Sequence, residues 1–143
     1  MSDLYEDDIV TWSEHQSELL RRVAAGEAPN EVPDWVNIAE EIESVGSERL
    51  HSVQSWLRQA LIHMLKAEAW PASRDVPTWR ADAIMFRTDA AQRFVESMRT
   101  KIDLERLYRQ AKRALPETMD GQDPLPLPEV CPVTLDELLS EEP

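Results

Sequence analysis

Residues 34–69 read DWVNIAEEIESVGSERLHSVQSWLRQALIHMLKAEA. Ile38, Ile42, Val45, Val53, Leu57, Leu61 and Met64 recur in this stretch at a period near 3.6, the spacing of one helix face. No alternating pattern of a strand interrupts them. The stretch therefore predicts a helix from near Asp34 to Ala69, closed by Pro71. A straight helix of that length spans roughly 50 Å at ~1.5 Å per residue. A globule of this size has a radius of gyration of about 14–15 Å. Either the bundle is elongated or the helix bends. Gly46, between Ser44 and Ser47, is the expected bend.

The flanking sequence is also helical. A first helix is expected from Asp3 to Ala25. Asp3 and Glu6 have capping-box spacing, and Tyr5, Ile9, Trp12, Leu19, Leu20 and Val23 form its stripe. Gly26 is its stop. A third helix starts at Pro77, with Trp79, Ala83, Phe86, Ala90, Phe94 and Met98 as buried candidates. A fourth runs from Ile102 to Leu115, with Leu104, Tyr108, Ala111 and Leu115 on its face. Residues 116–132 are proline-rich and expected to be extended. Thr134 and Glu137 then cap a short helix at 135–140. The expected fold is all-α. It is a four-helix antiparallel-type bundle over residues 1–115, with an acidic strap over 116–143 that docks on it.

Composition bounds the function. The chain has 143 residues, enough for one domain, and 15 Lys+Arg against 28 Asp+Glu. A net charge of -13 argues against a nucleic-acid surface and against docking on an anionic membrane. No apolar run approaches the ~20 residues that span a bilayer. One cysteine, Cys131, and an acidic MSDLYEDD start without a signal-peptide pattern predict a reducing, cytoplasmic setting. The charge is segregated. Residues 1–48 hold 13 acidic and 2 basic side chains, 49–113 hold 7 and 13, and 114–143 hold 8 and none. The acidic first helix and tail are expected to lie beside basic helices three and four.

Five segments, in order, carry a family resemblance. They are YEDDIVTWSEHQSELLR, with Tyr5, Asp8, Trp12, Gln16 and Leu20; AEEIESVGSER at 39–49; SWLRQALIHMLK at 55–66; SRDVPTWRADAIMFR, through Trp79, Arg80 and Arg87; and CPVTLDELL. Together they resemble the uncharacterised bacterial family catalogued as domain of unknown function number twenty-nine. Met64 and Ala83 depart from it, standing where that family more often has leucine and isoleucine. The resemblance implies an all-helical fold and carries no activity.

Three constellations were weighed for chemistry. Glu48 and His51 form a Glu-x-x-His, but a di-iron bundle needs two such motifs and carboxylates from further helices. No metal is favoured and no cofactor is expected. His63 and Lys66 lie one turn apart near the end of the long helix. There they answer its dipole, or His63 acts as acid or base in a pocket walled by Trp70, Trp79 and Arg80. Glu40, Glu41 and Glu43 flank Ile42, which is expected to face the core. Their expected partner is Arg80 or Arg87, as a fastening rather than a catalytic pair. A magnesium-holding reading of these glutamates fails to find its second acidic pair, since the next helix offers only Asp82, Asp89 and Glu96. Five tryptophans (12, 35, 56, 70 and 79) are expected to be core anchors, and any exposed one to mark an interface. Nucleophilic catalysis has no support, since Cys131 lies between Val130 and Pro132 far in sequence from any histidine, and three scattered glycines form no phosphate loop. The residues favour an interaction or regulatory module, a homodimer or the partner of another bacterial protein. The alternative is a small ligand-binding or metal-dependent enzyme bundle centred on Glu41, His63 and Trp79.

Overall fold

The computed structural model describes residues 3–140. The chain is all-α, with six α-helices and one 3-10 turn among the described residues. They are α1 (Leu4–Asp7), α2 (Ile9–Ala24), α3 (Trp35–Ala69), α4 (Val76–Arg93), the 3-10 turn (Glu96–Met98), α5 (Leu104–Arg113) and α6 (Leu135–Leu139). The chain divides into two compact units, Met1–Ser47 and Glu48–Pro143. The division falls within α3 rather than at the 115/116 boundary read from the sequence. The last three residues of the expected strap, 141–143, lie outside the described residues.

In the first unit, the single helix expected over Asp3–Ala25 is two. Asp8 leaves the helical region, at φ -152° and ψ 86°. Its carboxylate accepts from the Thr11 amide at 3.1 Å and from the Thr11 hydroxyl at 2.7 Å. An aspartate that bonds its own downstream backbone competes with the helix and becomes a cap, as here for α2. Helix α2 stops where expected. Gly26 sits at φ +85°, its amide donates to Val23 and that of Glu27 to Arg22, a Schellman pair. Among the described residues of this unit, Trp12, Gln16, Leu19 and Pro33 are buried. The α1–α2 segment meets α3 through Asp34 and Glu41, which lie on one polar stripe with Asn37 between them. The neighbouring apolar stripe is therefore left outside. Ile42 is 69 % exposed, which corrects its expected core position. Helix α3 continues through Gly46 without interruption.

The second unit holds the core. Val53, Leu57, Leu61, Ile62 and Leu65 of α3 pack with Ala90, Met98, Leu107, Tyr108, Ala111 and Leu138. A second cluster joins Ala67, Ala69, Trp70, Val76 and Trp79. Helix α4 has Pro77 in its first turn, as expected, but ends at Arg93 because Phe94 is extended. Met98 therefore reaches the core from the 3-10 turn. Asp103 caps α5 through the Arg106 amide at 3.1 Å.

The proline-rich tail lies along this unit. Met119 and Gln122 exchange backbone bonds of 3.0 and 2.9 Å around Asp120 (φ 52°) and Gly121 (φ 75°). Positive φ at both central residues is the signature of a type I′ turn, which favours Asp-Gly. The Leu125 amide then bonds the Ala69 carbonyl. Tyr108 and Lys112 both donate to the Pro128 carbonyl, and the Cys131 amide donates to the Glu105 carboxylate. Thr134 caps α6 through the Glu137 amide. The Arg99 guanidinium joins Asp136 at 2.9 Å. Basic residues thus meet the tail largely at backbone carbonyls, and among the described residues of the tail Asp136 is the acidic side chain that forms an ion pair.

Candidate functional site

The chemistry-bearing residues fall into three places, each within one unit. In the first unit, Glu41 is half-buried and accepts the Tyr5 hydroxyl at 2.6 Å. That bond, then burial, then the charges of Glu41, Glu40 and Glu6, push the Tyr5 phenol up to about 12. Glu40 is exposed. The expected Glu–Arg fastening is corrected: Glu41 is engaged by a phenol, and Arg80 is exposed. Arg87 is committed to the tail, donating to the carbonyls of Glu137 (2.8 Å), Leu138 (3.1 Å) and Ser140 (3.3 Å). A guanidinium offers a fork of donors that suits the open carbonyls of a helix end.

In the second unit His63 is fastened. Its Nδ1 is 2.8 Å from the carbonyl of Gln59, one turn back on α3, and so carries a proton there. Its ring meets Phe86 at 5.4 Å. Nε2 stands 3.8 Å from Asp82, beyond hydrogen-bond length. Lys66 is half-buried in the last turn of α3, where a cation suits the helix dipole. Of the residues expected to wall a pocket around His63, Trp70 and Trp79 pack together in the second cluster and Arg80 is exposed. His63 is covered by α4, and Trp79 is buried in the second cluster.

A cavity of about 270 Å³ lies instead beside Trp70. Its walls are residues 69–73 on one side and Met119, Asp120, Gln122, Asp123 and Leu125 on the other. The Trp70 indole N–H donates to the Gln122 carbonyl at 3.0 Å, which fixes that wall. Sequence reasoning found Trp70 and missed the tail residues. Asp120-Gly121 was the available signal, since that dipeptide favours a tight turn that brings its flanks together.

Glu48 and His51 are exposed. Among the described residues, no three His, Cys, Asp or Glu side chains gather into a group that could hold a metal. Among them too, no helix is long and apolar enough to cross a membrane.

The third place is a surface. Trp35, Ile38, Ile42 and Val45 recur at steps of three, four and three along α3, so they share one helix face. Trp35 is 53 % exposed, Ile42 69 % and Val45 54 %. The periodicity was legible, and was read as core.

A family model matches residues 4–142, nearly the whole chain. The chain belongs to the family described as Domain of unknown function DUF29. The chain is also similar to a crystal structure described as an alpha-helical protein of unknown function from Rhodospirillum rubrum. The two are 27 % identical, with a TM-score of 0.67, over 99 % of this chain and 92 % of that one. No curated protein matches the sequence. The DUF29 membership and this likeness support an all-helical protein and assign no chemistry.

Proposed function

We propose that the chain is a helical interaction module, and that the first unit carries its docking surface. The observation behind this is the stripe on which Trp35, Ile42 and Val45 are exposed and Ile38 is half-buried. Large apolar side chains scattered singly on a surface are ordinary, but three exposed ones joined by half-buried Ile38 on one helix face form a continuous strip. Helices docked in grooves are recognised through apolar anchors repeating every three or four residues on one face, and Trp35, Ile38, Ile42 and Val45 stand at i, i+3, i+7 and i+10. Tryptophan is also enriched among residues that dominate binding energy.

Placing a photo-crosslinking residue at position 42 in the native host tests this. Irradiation should yield a discrete macromolecular adduct, and the same residue at exposed position 93 should not. Absence of any adduct from position 42 would sink the reading.

A ligand-binding role has its own support in the cavity beside Trp70, which has an aromatic wall and the acidic residues Asp120 and Asp123. Its 270 Å³ is just under the usual 300–1,000 Å³ of small-molecule sites. A thermal-shift screen with metals and nucleotides tests this second reading.

A further inference from the structure

We infer that the occupant of the Trp35–Val45 stripe is a cationic amphipathic helix of a partner protein. The inference rests on the docking role proposed above and adds the chemistry of the partner. Two observations carry it.

First, the stripe lacks cover from its own unit. The hydrophobic clusters draw on residues from Leu50 onward, and within the first unit Trp12, Leu19 and Pro33 are buried while Trp35, Ile42 and Val45 stay exposed. A segment of under about 50 residues seldom sustains itself without added burial. A helix laid along the stripe would supply that burial.

Second, the surroundings are of one sign. Residues 1–47 hold 12 acidic side chains and two basic ones, Arg21 and Arg22. Arg22 is already paired with Glu27. Along α3 from Trp35 to Ser47 there is no Lys or Arg, and Glu40, Glu41 and Glu43 flank the stripe. Among the described residues, none of these three glutamates forms an ion pair. A second copy of the 35–47 segment laid on the stripe would bring glutamates against glutamates with no Lys or Arg in either segment to answer them. Like charges along a helix pair oppose that pairing, and opposite charges select it. A lysine- or arginine-flanked apolar helix satisfies both the stripe and its flanks.

The probe is a 28-residue synthetic heptad peptide with leucine at a and d and lysine at e and g. A glutamate analogue at e and g is the control, and both are titrated against the full chain by fluorescence anisotropy. The lysine peptide should bind, weakening at least tenfold between low and high salt, and the glutamate peptide should not. Ile42→Asp decides whether the stripe takes part. Ile42 is 69 % exposed, so melting should be unchanged, yet stripe docking should be lost. Binding that persists or tightens in Ile42→Asp would mean that acidity alone draws the peptide, and would overturn the inference. Equal binding of the glutamate peptide, or a dimer in sedimentation that Ile42→Asp dissolves, would also overturn it while leaving the docking role standing. No binding of either peptide, with a discrete adduct from position 42, overturns the inference alone. With no adduct, both fall.

Discussion

The Trp12 indole N–H donates to a carboxylate oxygen of Asp34 at 3.0 Å, so the most buried tryptophan of the first unit is tied to the residue that opens α3. Asp34 is a hub. Its carboxylate also takes the Asn37 side-chain amide at 2.8 Å, and its own amide donates to Gln16. The first unit is thus tied through Asp34 and through the Tyr5–Glu41 bond, beside a small buried set of Trp12, Gln16, Leu19 and Pro33.

Asp34→Ala should open this unit selectively. It leaves the indole N–H of Trp12 and the side-chain amide of Asn37 without their acceptor. Hydrogen exchange should accelerate over residues 9–40 and stay unchanged over 50–115. Bonds from Asn37, then Trp12, hold the Asp34 carboxyl below its ordinary value of 3.8. A depressed carboxyl stabilises the fold above 3.8 and loses that contribution as pH falls through the lower folded value. Acid should therefore loosen residues 9–40, and Asp34→Asn should remove most of that pH dependence.

Tyr5 should ionise late. The phenol sits at about 12 because its hydroxyl is bonded to Glu41. A raised phenol contributes stability that is complete below 10.0 and is lost as pH rises through about 12. Tyr108→Phe leaves Tyr5 as the one tyrosine in the chain, so ultraviolet titration reads it alone. Glu41→Gln should bring that titration back toward 10.0.

The tail should be an integral part of the second unit. Leu138 is 1 % exposed and lies in the main cluster, while Leu125 is 52 % exposed. Leu138→Ala should cost about 2–4 kcal/mol, the usual cost of truncating a core leucine. Leu125→Ala should cost under about 0.5 kcal/mol. Urea unfolding followed by circular dichroism measures both. Equal effects would mean that the tail is not docked through α6.

Two glycines should respond with opposite signs. An added Cβ meets nothing within 4 Å at either Gly46 or Gly121, so backbone conformation alone decides. Gly121 stands at φ 75°, and Gly121→Ala should destabilise by about 1–2 kcal/mol. Gly46 lies inside α3, and Gly46→Ala should stabilise by about 0.5–1 kcal/mol. Thermal melts of the two variants check both signs.

Much of the fold was legible because helices announce themselves locally. The periodicity of 34–69, the stop at Gly26, the proline in the first turn of α4 and the Thr134 cap each need only neighbours in sequence to act. The misreadings came where a local rule had two outcomes. Asp8 suits a helix surface or a cap, and its bonds to Thr11 made it a cap. His63 suits a catalytic pocket or a packed interface, and Phe86 with the Gln59 carbonyl made it the latter. Arg87 had carboxylates in reach on paper, but the carbonyls at the end of α6 claimed it.

By itself, the sequence determined that this chain is helical, where most helices begin and end, and how its charge is distributed. Those properties follow from backbone preference, capping and periodicity, which act over a few residues. The tertiary structure decided which apolar stripes are core. Ile42 and Leu57 carry the same periodic signal on one helix, yet Leu57 is enclosed by α4, α5 and the tail while Ile42 is left in the open. Periodicity names a face. Only the elements packed against that face decide whether it is buried or offered to a partner.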